Sequence, residues 1–343
     1  MKIVLIFRSN KLGYHSIENV FGTIHRELSA CEQVESYYVQ NSGFSLFNIL
    51  NLLKLVKQYA SDTIFHVTGD IHYAVFALPR KRSILTIHDC VFINKRKGLR
   101  GWILKKLYLD WPVRYVTAVT AISDKTKNEI IRLTGCSPHK INVINNPVSS
   151  FIRFTEKSFN TCNPVLLFIG SLPNKNLNRV IEALKGLPCT LNIIGQVNEQ
   201  QQAKMKEFHI SYKLEKNLSN EQMAARYEQA DIILFPSLYE GFGLPVIEGF
   251  KAGRAVLTSD IAPLKELADG AAWLVNPYSI DSIRNTLDRI INDKEARNKK
   301  IRNGLENVQQ YSPGKVTSKY YQAYLDLNLN KLAVLTTLVP YIL

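Results

Sequence analysis

Two successive series of short apolar runs, spaced by helical patterns, constrain this chain more than any other feature. Strand-like runs fall at residues 3–7, 35–39, 63–67, 83–88, 116–122 and 141–144. A second series falls at 165–170, 190–195, 231–235, 255–259 and 272–275. Runs apolar on both faces and separated by amphipathic helices predict parallel sheets wrapped by helices, an α/β architecture. At 343 residues the chain has room for two domains of ordinary size. Turn residues at 145–150 and a polar, aperiodic stretch at 158–163 mark the linker between them. The expected organisation is therefore a first domain over 1–150, a second over 164–312, and a last helix with an apolar tail over 313–343.

Composition narrows the class further. A hydrophobic fraction of 46% with 21% charged residues describes a soluble globular protein. Cys31, Cys90, Cys136, Cys162 and Cys189 are scattered, odd in number and without a C-x-x-C pair. They fit free thiols in a reducing cytosol better than a disulfide framework or a zinc site. The opening apolar run meets Arg8 too early for a signal peptide and reads as the first strand. Residues 332–343 are apolar but fall short of the roughly 20 residues that a spanning helix needs, so they read as a core or interfacial helix. The formal net charge of +14 favours an anionic partner: a nucleotide, a phospholipid surface, a lipid diphosphate or nucleic acid.

The most informative stretch is 231–253, DIILFPSLYEGFGLPVIEGFKAG. A buried strand ends at Pro236-Ser237 and feeds a loop in which Gly241 and Gly243 allow a sharp turn and close approach of backbone N–H groups to a ligand. Pro245 suits the first turn of a helix over 246–251, and Gly253 ends it. The N-terminus of such a helix favours phosphate or pyrophosphate. Glu240 and Glu248 bracket it. Each could accept two sugar hydroxyls, as a nucleotide-sugar would require; equally, Glu240 could be a solvated loop residue and Glu248 a complement to the helix dipole.

Residues 235–248 resemble the E-x7-E donor motif of the retaining family-4 glycosyltransferases, enzymes of GT-B architecture in which two Rossmann-like domains face each other across a cleft and a C-terminal helix crosses back. The resemblance covers the flanking strand, the Pro-Ser, the Gly-Phe-Gly-Leu-Pro core and both glutamates, and weaker matches extend it over nearly the whole chain. It implies that Glu240 contacts the donor sugar, that the amides around Gly241, Phe242, Gly243 and Leu244 hold sugar or phosphate oxygens, and that Glu248 binds ribose hydroxyls. Thr86-Ile87-His88-Asp89 resembles the family's His-Asp, which implies that His88 reaches the donor sugar.

Other positions depart from the pattern. Family members place an arginine directly after the glycine of the strand that here ends at Gly170; this chain has Ser171 there as a donor-binding candidate, so Lys175, also donor-binding, would carry the charge of the leaving group with less help. A Gly-x-Gly is common in the family after the first strand, where the loop should line the cleft; this chain has Gly13 alone, either a cleft residue or simply a turn residue. His66 and Asp70 follow a strand and could meet acceptor or donor hydroxyls, or could satisfy loop backbone groups. Residues 80–106 hold nine Lys or Arg against Asp89, interleaved with Phe92, Trp102 and Leu104. This suits docking on an anionic membrane or a lipid diphosphate, with a solvated face as the plainer reading. Residues 46–60 read as an amphipathic surface helix with Lys54 and Lys57 on a face apart from the apolar one.

The expected function is transfer of a sugar, with retention, from a nucleotide-diphosphate sugar to a glycan or lipid-linked glycan hydroxyl, in surface polysaccharide synthesis. Glu240, His88 and Lys175 would be catalytic. No Asp-x-Asp stands at a strand end, so no essential metal and no cofactor is expected, and no nucleic-acid partner. The location would be cytoplasmic, at or near the inner membrane face. The alternatives are a non-catalytic nucleic-acid- or membrane-binding protein on the same scaffold, or a sugar phosphorylase or epimerase.

Overall fold

The computed structural model describes residues 1–9, 16–94 and 98–338. The chain divides into two compact units, one made of Met1–Pro147 with the residues from Pro313 onward, the other of Val148–Ser312.

The first unit holds a parallel sheet of β1 (Lys2–Phe7), β2 (Gln33–Tyr38), β3 (Ile64–Val67), β4 (Ser83–Ile87), β5 (Ala118–Ala121) and β6 (Ile141–Val143), in the order β2-β1-β3-β4-β5-β6. Every residue of β3 and β4 is buried, as strands covered on both faces must be. The helix Ser16–Leu28 buries Val20, Phe21 and Ile24 on one side. The last helix, Pro313–Leu338, places Tyr320 and Tyr324 at 0% exposure, with the Phe21 ring 5.6 Å from that of Tyr320. This helix takes in part of the apolar tail. Among the described residues no helix is long and apolar enough to cross a membrane.

The helix Leu46–Val56 corrects an expectation. Leu46, Phe47, Leu50 and Leu53 are exposed on the same side as Lys54, while Asn48 and Leu52 are its fully buried residues. A helix apolar almost all round cannot hide every apolar side chain against a single neighbour, and here the surplus faces outward. The basic segment carries a similar display. Leu99, Trp102 and Ile103 are exposed on the helix Gly98–Lys105, and Trp111 just beyond it. Lys105 and Lys106 pair with the buried Asp110. Of the basic run, Lys95, Arg96 and Lys97 lie outside the described residues.

The second unit repeats the plan with β7 (Val165–Ile169), β8 (Thr190–Ile194), β9 (Ser211–Glu215), β10 (Ile232–Phe235), β11 (Ala255–Ser259) and β12 (Trp273–Val275), ordered β12-β11-β10-β7-β8-β9 and parallel throughout. Successive connections run from β7 outward to β8 and β9, then return to β10 on its other side. The order therefore reverses between β7 and β10, and the carboxyl ends of those two strands are where a doubly wound sheet offers a ligand site. β9 is an edge strand missing from the sequence-based series: Ser-Tyr-Lys-Leu-Glu is half exposed and carries two charges.

Candidate functional site

At the reversal point, side chains from several strand ends fix the loop that follows β10. Asn174 accepts from the amide of Leu238 (2.7 Å) through its carbonyl and donates through Nδ2 to the carbonyl of Tyr239 (2.9 Å). Asn176, in the left-handed conformation at φ 70°, donates through Nδ2 to the carbonyls of Pro236 (3.0 Å) and Pro277 (2.7 Å). From β11, Ser259 Oγ donates to the carbonyl of Ser237 (2.6 Å) and Thr258 Oγ1 to that of Phe235 (3.1 Å). A loop whose carbonyls are met in this way is held in one shape before any ligand arrives.

Lys175 lies in the short 3-10 turn Pro173–Lys175, two residues before the helix Leu177–Ala183. Its stem folds back over Gly170, where φ is +122° and an added Cβ would stand 2.6 Å from Lys175 Cγ. Glycine at 170 thus clears the path by which Lys175 Nζ reaches Glu240 Oε1 at 2.7 Å, over the ring of Phe235 at 4.7 Å. Both charged groups are half-buried. Ser171 turns elsewhere: its Oγ accepts from the amide of Gln196 at 2.5 Å, at the end of β8.

The helix after the loop is Leu244–Ala252, with Pro245 in its first turn and Gly253 at its end in the left-handed conformation. Gly243 precedes it at φ +120°, and an added Cβ there would come within 2.5 Å of Leu264 Cδ2. Phe242 is buried with its ring edge-on to Tyr311 at 5.8 Å, which anchors the loop between Gly241 and Gly243. The first turn of this helix presents N–H groups that lack intrahelical partners, together with the positive end of the dipole. Lys175 and that turn are positive features of the region, and Arg179 Nη1 donates to Asn176 Oδ1 at 3.0 Å.

The two glutamates have different surroundings. Glu240 faces Lys175. Glu248 is 8% exposed, and its carboxylate accepts from the hydroxyls of Ser149 and of Tyr227, the latter at 2.5 Å. Burial pushes the Glu248 carboxyl above its ordinary range, while the two hydroxyl donors pull it back. Ser149 and Tyr227 were not singled out from the sequence; they stand 99 and 21 residues from Glu248, beyond any local motif.

In the first unit, His88 follows β4 and is half-buried, with Nε2 2.7 Å from the carbonyl of Thr68. A carbonyl only accepts, so Nε2 carries the proton. Burial holds the ring's pKa below its ordinary value, which leaves a neutral imidazole with Nδ1 in the acceptor form. Asp70, exposed and at φ 43°, accepts from Arg8 Nη1 at 2.5 Å, and Arg8 also pairs with Glu18 at 2.8 Å. His66 is not a ligand-facing residue. It is 0% exposed in β3, with Nδ1 2.7 Å from Tyr324 Oη and Nε2 2.7 Å from Thr86 Oγ1. The side chains of the sheet and of the last helix occupy both of its nitrogens. Gly13 lies outside the described residues.

Two family models match the chain in succession: Glycosyltransferase Family 4 over residues 26–150 and Glycosyl transferases group 1 over residues 151–307. The chain is 23% identical over 240 residues to the serotype-specific mannosyltransferase WbdA of Escherichia coli, a match to 62% of this chain and 29% of that protein. The chain therefore spans under a third of that relative's length. It is 24% identical over 288 residues to the O-antigen chain mannosyltransferase B of Escherichia coli, covering 74% and 73% of the two chains. Among solved structures, Anabaena HepE in complex with UDP and glucose superposes with a TM-score of 0.75 at 16% identity, covering 95% of this chain and all of that one. Two matched models that together run from residue 26 to 307, over two six-stranded parallel sheets, make this chain a member of the group 1, family 4 glycosyltransferases, with their GT-B fold.

Proposed function

We propose that the chain transfers a sugar, with retention, from a nucleotide-diphosphate sugar to a hydroxyl of a glycan or lipid-linked glycan in surface polysaccharide synthesis. The observation that carries this reading is the Lys175–Glu240 pair, 2.7 Å apart at the reversal point of the sheet. In glycosyl transfer, negative charge develops on the departing diphosphate. A half-buried ammonium beside a helix N-terminus is suited to stabilise that charge, and a preformed loop does so with little reorganisation. In the proposed reaction the diphosphate takes over Lys175, and the freed carboxylate of Glu240 accepts sugar hydroxyls. The role of His88, orienting the donor sugar through Nδ1, rests on the resemblance of Thr86-Ile87-His88-Asp89. The mannosyltransferase names of the relatives and the UDP bound by HepE support the substrate class. No essential divalent ion is part of the proposal; transfer lost to a chelator and restored by metal overturns that element.

The test is protection against thermal unfolding by UDP-, GDP-, ADP- and CDP-sugars. One nucleotide class should stabilise the protein, by about 2.7 kcal/mol at a hundred times its Kd. Turnover by Lys175→Ala should fall on the order of 10²-fold or more. Absence of a shift with every donor rejects the reading.

We further propose an anionic membrane surface as a partner of the first unit, at a cytoplasmic face. Leu52 of the helix Leu46–Val56 joins the hydrophobic core of the first unit, and so do Leu107 and Leu109 in the turn Lys106–Asp110 that directly follows the helix Gly98–Lys105. No Asp or Glu occurs between Glu35 and Asp62. Exposed aliphatic and Trp side chains among lysines and arginines match the headgroup boundary of such a surface.

A further inference from the structure

Glu248 is a buried carboxyl group with no ion pair among the described residues. Its partners are two neutral hydroxyls: Ser149 Oγ donates to Oε1 and Tyr227 Oη to Oε2. Neither is an incidental surface contact. Tyr227 is 0% exposed, and burial together with Glu248 holds its hydroxyl well above the ordinary tyrosine pKa, so it remains a donor. Arg254, itself 4% exposed, fixes the backbone that carries the phenol: Nε donates to the carbonyl of Tyr227 at 3.0 Å and Nη2 to that of Glu228 at 3.0 Å, while Nη1 donates to the carbonyl of Thr155 at 2.8 Å.

The chemistry of this arrangement is specific. A carboxylate has about four lone-pair sites. Ser149 and Tyr227 take one on each oxygen, which leaves one on each. A cation in place of the hydroxyls would cancel the charge; two neutral donors steady the carboxylate and leave it a strong acceptor. One remaining acceptor site per oxygen matches a vicinal diol, with one hydroxyl to each.

We propose that Ser149 and Tyr227 are positioning residues: they clamp Glu248 so that it accepts both hydroxyls of the donor's ribose, and thereby set a preference for ribonucleotides over nucleotides that lack the 2′,3′-diol. The inference rests on the donor-site reading of Glu248. Its physical root is that a carboxylate swinging on one donor meets a diol in many orientations, whereas one pinned at both oxygens meets it in one.

The experiment measures binding of UDP and GDP, and of their 2′,3′-dideoxy forms, to wild type, Tyr227→Phe, Ser149→Ala and Glu248→Gln, with donor KM and kcat determined in parallel. Wild type should favour the ribonucleotide of its own base on the order of 10²-fold, since a site built to bond a hydroxyl discriminates strongly against its loss. In Tyr227→Phe that ratio should fall below about tenfold, through weaker ribonucleotide binding alone, with dideoxy affinity held within about twofold, KM raised and kcat little changed. Ser149→Ala, a smaller change outside the core helices, should move the same ratio in the same direction. Wild-type ratios in both variants, or equal weakening of ribo and dideoxy forms, overturn the clamp. If Glu248→Gln also keeps the wild-type ratio, it is the donor-site reading of Glu248 that fails; if that variant loses the ratio while the hydroxyl variants keep it, the clamp alone is wrong.

Discussion

His66 and His88 show what one side chain can and cannot reveal about itself. Both sit at or near the end of a strand in the same sheet, yet one is sealed between Tyr324 and Thr86 and the other leans on the carbonyl of Thr68 beside a loop. The sequence around them is equally apolar on the strand side, and only the packing of a helix some 250 residues away separates them. Burial lowers the His66 pKa to about 3, from an ordinary 6.5. The unfolded chain then binds a proton below pH 6.5 that the folded one refuses, so this contribution to stability is complete above about 6.5 and declines as pH falls toward 3. The slope from this one group approaches about 1.4 kcal/mol per pH unit. Urea unfolding of wild type and His66→Gln between pH 7 and 5 should show a shallower decline in the variant; equal slopes would remove His66 as a source of acid sensitivity. The positions of Glu240 and Lys175 after strand ends were readable because the motif around each is local. Ser149 and Tyr227 were not, because what selects them is proximity to Glu248 in the folded unit.

Among the elements, the strands buried on both faces were the most legible, since β3, β4 and β10 have no polar face to confuse the reading. β9 escaped because an edge strand that is half exposed has the composition of a loop. The last helix runs from Pro313 to Leu338, through Asn328 and Asn330, which break the apolar pattern in the sequence. Its hold on the first unit is concentrated at Tyr320 and Tyr324. Tyr324→Phe removes the oxygen that meets His66 Nδ1 and should lower stability by about 1–3 kcal/mol, the usual result of orphaning a buried polar group. Tyr324→Ala adds a cavity and should lower it by about 3–5 kcal/mol. Chemical denaturation read through Trp273, after Trp102→Phe and Trp111→Phe, reports the second unit and should be nearly unmoved by either change, whereas far-ultraviolet dichroism should show the loss. A matching shift in the Trp273 signal contradicts the confinement of the effect to the first unit.

For the whole molecule, the charge of +14 and the exposed apolar helices belong to one prediction. Co-sedimentation with vesicles rich in phosphatidylglycerol should capture the protein and vesicles of phosphatidylcholine should not; each surface cation engaged contributes about 1 kcal/mol, and added salt should screen that attraction. Phe47→Ser with Leu50→Ser, or Trp102→Ser with Ile103→Ser, should reduce capture; retention by both pairs rejects the proposed face. The division of the chain has another consequence, for synthesis. The second unit is one continuous segment, 148–312, and can complete its sheet as soon as it leaves the ribosome. The first unit cannot, because residues 1–147 form its sheet while Tyr320 and Tyr324 arrive last. The side of that sheet around Phe21 and His66 must wait uncovered through the translation of some 170 further residues, roughly 10–30 seconds at about 5–20 residues per second. During that interval the second domain is being made behind an unfinished first one, and the unfinished face is where a chaperone would find its work.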